Sequence, residues 1–205
     1  MRTIVLANGA INNYAATKQA LAGAEYIIAC DGGLNHAHLM GITPHVVIGD
    51  MDSADPKLLE GIHALVYPAE KDETDMELSI AHAREKGASS IRIIGAMGGR
   101  IDHALANMHL LGDNIELWDE DTSIQLISGT MCFPRGNYDT ISLIPLTTLV
   151  TGIVTDGLFY PLHGETLKIG SSRGISNVFC KDIATVSIES GLLLAIRIAH
   201  GGKMG

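Results

Sequence analysis

Positive charge is in short supply. The 205 residues hold 14 Lys and Arg against 23 Asp and Glu, a formal net charge of −9. A protein that coats nucleic-acid phosphates needs a basic face, so this balance argues against that class. A small phosphorylated ligand handled through metal ions is not excluded. Aromatics are equally sparse at 4%, with a single Trp, in a chain that is 46% hydrophobic. Small and branched aliphatics must therefore pack the core. No apolar run approaches the roughly 18 residues of a membrane span. Ile4-Val5-Leu6-Ala7, behind Arg2 and Thr3, is far shorter than the apolar region of a signal peptide. Cys30, Cys132 and Cys180 are odd in number, widely spaced and without a CxxC pair, which argues against a disulfide framework or a zinc site. Together these absences predict a soluble, cytoplasmic, globular protein with neither a nucleic-acid nor a membrane partner.

What is present divides the chain in two. Up to about Asp121, short apolar runs (Thr3–Ala7, Glu25–Ala29, Val46–Ile48, Ala64–Tyr67, Ile91–Ile94 and Ile115–Trp118) alternate with helical candidates near Tyr14–Leu21, Gly33–Met40, Pro56–Glu60, Asp75–Lys86 and Asp102–Leu111. Strands that are apolar throughout, each followed by a helix, predict a mostly parallel sheet with flanking helices. From residue 122 onward, Thr122–Ile127, Asp139–Ile144, Thr148–Val154, Thr185–Glu189 and Leu192–Ile198 read as strands punctuated by Gly and Pro, with no strong helix between them. That half is expected to be a smaller antiparallel β-sandwich, with Ser190-Gly191 as a hairpin turn. The fold class is α/β followed by all-β, with domains 1–121 and 122–205.

The acidic residues fall at strand ends. Asp31 follows the second run, Asp50 and Asp52 the third, Asp72 and Asp75 the fourth, and Asp102 the fifth. In a parallel sheet those ends share one edge, where ligands bind. Taken singly, an Asp after a strand is often a turn former or helix cap, and Thr74-Asp75-Met76-Glu77 can be a capping box. Repetition at four strand ends points beyond that. Two carboxylates about 6 Å apart repel by roughly 3 kcal/mol at an effective dielectric of 20, and an all-oxygen set calls for a hard cation, Mg²⁺ above all. Gly95-Ala96-Met97-Gly98-Gly99-Arg100 opens a helix after a strand, where backbone N–H groups and the Arg100 fork can receive phosphate oxygens. The histidines, from His36 to His200, form no ligand set. His36 and His38 lie two residues apart in a predicted helix and face different directions, and only His103, beside Asp102, takes a supporting place. Phe179 and Trp118 read as packing residues.

These motifs resemble the thiamine pyrophosphokinase family. The resemblance is carried by Leu6-Ala7-Asn8-Gly9, Asp31-Gly32-Gly33, Gly49-Asp50-Met51-Asp52-Ser53, Lys71-Asp72-Glu73-Thr74-Asp75 and Gly98-Gly99-Arg100-Ile101-Asp102-His103 with Asn107. It continues through Ser142–Leu146, Gly157–Leu162 and Arg173-Gly174-Ile175-Ser176-Asn177. Lys71 is the residue of bacterial-type members. The resemblance implies diphosphate transfer from ATP to the hydroxyl of thiamine, giving thiamine diphosphate and AMP. It further implies a homodimer with active sites at the subunit interface. By position, Asp50, Asp52 and Asp75 would bind Mg²⁺, supported by Asp31 and Asp72. Gly98, Gly99, Arg100, Asp102, His103 and Asn107 would hold the nucleotide, with Arg100 on phosphate and Asp102 near the metal. Ser176 and Asn177 would belong to the thiamine pocket. A pterin diphosphokinase with a related catalytic half, or a non-catalytic thiamine- or nucleotide-binding protein, are the alternatives.

Overall fold

The computed structural model describes residues 1–199, so His200 lies outside it. The chain forms two compact units, Met1–Glu120 and a second beginning at Asp121.

In the first unit the strands are β1 (Arg2–Leu6), β2 (Tyr26–Cys30), β3 (Val46–Gly49), β4 (Ala64–Val66), β5 (Ser90–Ile94) and β6 (Ile115–Trp118). Every pairing among them is parallel, in the order β6-β5-β1-β2-β3-β4. Ile4, Val5, Leu6, Val46, Val47 and Ile48 have no solvent exposure, as expected of strands covered on both faces. Helices α1 (Tyr14–Ala20), α2 (Gly33–Leu39), α3 (Asp75–Glu85) and α4 (Ile101–His109) connect them, and the Pro56–Leu58 segment is a single 3₁₀ turn rather than a helix. Thr74 caps α3, its hydroxyl accepting the Glu77 N–H at 3.2 Å. The chain runs from β1 outward to β4, then returns to the other side of β1 at β5. The strand order therefore reverses between β1 and β5, and the carboxyl ends at such a reversal are the position where open α/β sheets bind ligands.

The second unit contains two four-stranded antiparallel arrays. One has the order β12-β9-β14-β7, from β7 (Thr122–Ile127), β9 (Thr140–Pro145), β12 (Asn177–Val178) and β14 (Leu193–Ile198). The other has the order β11-β10-β13-β8, from β8 (Thr130–Pro134), β10 (Leu149–Asp156), β11 (His163–Lys168) and β13 (Ile183–Ser187). Ile127, Ile141, Leu143 and Leu193 from the first array share one core with Phe133, Val150, Ile153 and Val186 from the second, which makes the unit a sandwich. Phe179 is buried in that core. Ser190-Gly191 is not a hairpin turn. β13 pairs with β8 and β10, whereas β14 pairs with β7 and β9, so the turn carries the chain from one sheet to the other. Among the described residues no helix is long and apolar enough to cross a membrane.

Candidate functional site

The crevice of the first unit opens into a cavity of about 540 Å³. Its walls are Ala7–Gly9 after β1, Cys30 at the end of β2 and Asp31 after it, Ser53, Thr74–Met76 at the start of α3, and residues of the Gly95–Asn107 stretch after β5. Two loops are joined edge to edge along it. The Gly9 N–H donates to the Gly95 carbonyl at 2.8 Å, and the Ala10 N–H to the Gly98 carbonyl at 2.6 Å. A Cβ at Gly9 would run into both of those oxygens, so only glycine permits the approach. Asn107, from α4, donates its amide to the Ala96 carbonyl at 3.1 Å and fixes the glycine-rich loop from behind.

Of the acids after β2, β3 and β4, Asp31 and Asp75 line the cavity, whereas Asp50 and Asp52 do not. Carboxylate oxygens of Asp31, Asp50 and Asp52 all lie within 4.8 Å of one another. Two left-handed residues make this possible: Asp31 itself (φ 47°) and Met51 (φ 65°). Left-handed backbone is costly for residues other than glycine and clusters at functional sites. With Met51 so turned, Asp50 Oδ1 accepts the Asp52 N–H at 3.1 Å, and the Ser53 hydroxyl donates to Asp52 at 2.7 Å. Burial, aided by the negative charge of Asp52, pushes the Asp31 carboxyl above its ordinary value despite hydrogen bonds from Ser53 and Gly32. Its Oδ1 is buried without a hydrogen-bond partner. A buried, unsatisfied carboxylate oxygen facing two more carboxylates fits a hard cation.

Asp75 stands beside this trio but is already partnered, its Oδ1 lying 2.9 Å from Lys71 Nζ. Lys71 also donates to the Pro68 carbonyl at 3.0 Å. Gly49, with φ 154°, passes between Asp31 and Asp75; a Cβ there would lie 2.9 Å from Asp31 Cβ and 3.3 Å from Asp75 Cγ. Asp72 is exposed and does not line the cavity. At the cavity floor, burial pushes the Cys30 thiol up to about 12, and the charges of Asp75 and Asp31 add to that. Cys30 is therefore a protonated packing group and no nucleophile.

Arg100 precedes α4 and Asp102 lies in its first turn; the guanidinium grips the carboxylate through Nε at 3.1 Å and Nη2 at 2.6 Å. This fork holds the Asp102 carboxyl down at about 2. Both side chains are exposed, as is His103. One contributor carries no sequence signal. Asn35 of α2 donates to the Ser53 carbonyl at 3.0 Å and accepts the Asp55 N–H at 3.2 Å, tying down the loop that bears Asp50 and Asp52.

Ser176 and Asn177 belong to the second unit. Ser176 is exposed and left-handed, with φ 57°. Asn177 is buried, and its amide is spent on backbone: Oδ1 accepts the Tyr160 N–H at 3.0 Å and Nδ2 donates to the Tyr160 carbonyl at 2.7 Å. It anchors the exposed Phe159-Tyr160 pair, whose rings meet edge to face at 4.9 Å.

Comparison with known proteins covers both units. The family model for the thiamin pyrophosphokinase catalytic domain matches residues 17–125, and that for the thiamin pyrophosphokinase vitamin B1 binding domain matches residues 130–193. The thiamine pyrophosphokinase of Bacillus subtilis is 35% identical over 178 residues, spanning 77% of this chain and 79% of that protein. Crystal structures of the Geobacillus thermodenitrificans and B. subtilis enzymes superpose with TM-scores of 0.88 and 0.87. The first is 28% identical and covers 98% of this chain and 99% of its own; the second is 27% identical and covers 97% and 99%. With both halves matched in order, the chain belongs to the thiamine pyrophosphokinase family.

Proposed function

We propose that this chain transfers diphosphate from ATP to the hydroxyl of thiamine, releasing AMP. The observation that carries the reading is the cavity at the β1–β5 crevice, lined by a glycine-rich loop at the start of α4 and by Asp31, on which the carboxylates of Asp50 and Asp52 converge. Both matched family models favour it over a pterin diphosphokinase or a non-catalytic binding protein.

In this reading the first unit, Met1–Glu120, binds ATP, and the second, from Asp121 onward, binds thiamine. Backbone N–H groups of Gly98 and Gly99 and the N-terminus of α4 receive the nucleotide phosphates, and Arg100 adds a fixed guanidinium fork. Asp102 holds that fork in place until phosphate competes for it, with His103 and Asn107 supporting the same wall. Asp31, Asp50 and Asp52 would hold Mg²⁺, joined by Asp75 if Lys71 releases it, while Asp72 contributes only to the surrounding negative field. When bound, the ion would neutralise phosphate charge as it develops. The thiamine oxygen forms a bond to the β-phosphorus, and the bond from that phosphorus to the α-β bridging oxygen breaks. AMP leaves with the electron pair, and the hydroxyl proton passes to a carboxylate or to phosphate. Positioning and charge are the protein's main contributions to such chemistry.

Incubation with ATP, Mg²⁺ and thiamine is expected to yield AMP and thiamine diphosphate in equal amounts. ADP with thiamine monophosphate would reject the reaction. The three unpaired cysteines suit a reducing compartment, and the cytoplasm is the proposed location.

The acids lie in one unit and Ser176-Asn177 in the other. We infer a homodimer in which a second copy supplies Ser176, with Asn177 shaping the loop beside it. Exposed Leu149, Ile169, Ile175 and Ile183 offer apolar surface for pairing. Mixed Asp52→Asn and Ser176→Leu chains, each inactive, should regain activity after subunit exchange. Verified mixed dimers that stay inactive would leave each site within one chain.

A further inference from the structure

Helix α2 holds two walls of the cavity from behind. Asn35 ties down the acidic loop, and the next residue, His36, turns toward the loop after β1. His36 Nδ1 lies 2.7 Å from the Tyr14 hydroxyl at the start of α1. Tyr14 itself packs against the core of Ile4, Leu6 and Ala37, so its hydroxyl is delivered from a fixed ring. The other ring nitrogen, Nε2, is buried with no hydrogen-bond partner. Backbone of Asn8 and Gly9 is what the imidazole meets there, and those two residues line the cavity. Burial pushes the His36 ring below its ordinary value, against the pull of those carbonyls, which keeps it neutral with one proton to place.

Tyr14 decides where that proton goes. A phenol hydroxyl can donate to Nδ1, which leaves the proton on Nε2, facing the Asn8 and Gly9 carbonyls. A buried N–H beside carbonyls has no water to turn to, so it restrains the backbone that it faces.

We propose that His36, its tautomer set by Tyr14, is a positioning residue for the nucleotide: its Nε2–H faces the Asn8–Gly9 backbone and holds that loop, already bonded to the glycine-rich wall through Gly9 and Ala10, in the position that receives ATP. The role rests on the reading that ATP occupies this cavity. It predicts that His36 influences nucleotide affinity specifically, since the ring does not touch the ligand and lies apart from Ser176 and Asn177 in sequence and unit.

The test is a set of full-length variants assayed by separate ATP and thiamine titrations, with direct ATP binding measured by equilibrium dialysis in Mg²⁺. His36→Leu should weaken ATP binding and raise the KM for ATP about tenfold, the value of one lost hydrogen bond. The KM for thiamine should stay within about twofold. His36→Gln places an amide N–H at the reach of Nε2 and should recover ATP affinity to within about threefold. Tyr14→Phe frees the tautomer and should fall between the two. Equal shifts in both substrates, or unchanged ATP affinity in Tyr14→Phe, would reduce His36 to a packing residue and overturn the proposal. Should His36→Leu fail to fold, Tyr14→Phe and His36→Gln decide the matter alone. Arg100→Met separates the two levels. If it leaves ATP affinity untouched, the cavity reading fails and takes the His36 role with it. If it weakens ATP while the His36 and Tyr14 variants do not, only the His36 role falls.

Discussion

Replacing Asp50 or Asp52 with Asn is expected to cut turnover about 100-fold or more, the usual cost of deleting one group that stabilises developing charge. Each change removes a ligand charge at nearly constant volume. The fold should therefore persist, because neither side chain contributes to a core. Two unit charges 4.8 Å apart repel by about 3.5 kcal/mol at an effective dielectric of 20, and less at Asp52, which is exposed to water. Removing one of them should leave the metal-free protein as stable as before or slightly more so. Steady-state rates at limiting Mg²⁺, paired with thermal melts in chelator, check both halves. Near-normal turnover in both variants would dismiss the acid trio as the cation site, and a large loss of melting temperature would make the acids structural.

The sequence carried the first unit well because its strands are buried on both faces. Such strands read as unbroken apolar runs, and Val46–Ile48 could hardly be anything else. The three strands it missed, β8, β11 and β12, all lie at sheet edges. Thr130–Pro134 buries only Phe133, and His163–Lys168 buries only Leu167. An edge strand with one buried residue shows no period that distinguishes it from a loop. Ser190-Gly191 misled for a different reason. Its local chemistry suits a tight turn, but whether the flanking strands pair is decided by the two arrays they join.

The site was legible as a list and not as an arrangement. Acids at strand ends could be named because a parallel sheet gathers those ends. What brings Asp31 against Asp50 and Asp52 is the left-handed backbone at Asp31 and Met51, a conformation that Asp tolerates better than most residues and that Met does not announce. The Lys71–Asp75 pair is an ordinary i, i+4 spacing, yet here it puts a cation at the edge of the cluster. Asn35 and His36 had no signal at all, since each acts through backbone that is distant in sequence. The amide of Asn177 was expected near ligand and is instead consumed by Tyr160, which leaves the exposed Ser176 as the group free to reach one.

Gly9→Ala is expected to weaken ATP binding by about 100-fold, the value of two hydrogen bonds lost together. The substitution adds one carbon, yet that carbon has nowhere to go: the obstructing atoms are the Gly95 and Gly98 carbonyl oxygens. Those same oxygens accept the Gly9 and Ala10 N–H groups. The loop must part from the glycine-rich wall, breaking both bonds, and the phosphate-receiving edge then opens. Because the loop follows β1 rather than forming part of it, the strand core should survive, with stability falling by about 1–3 kcal/mol as for other overpacking changes. Gly129→Ala provides the matched control, since a Cβ there meets nothing within 4 Å. Equilibrium dialysis of ATP against both variants, alongside urea unfolding, makes the comparison. If Gly9→Ala binds ATP as tightly as Gly129→Ala, the junction of the two loops is not the nucleotide wall, and the phosphate must be received elsewhere.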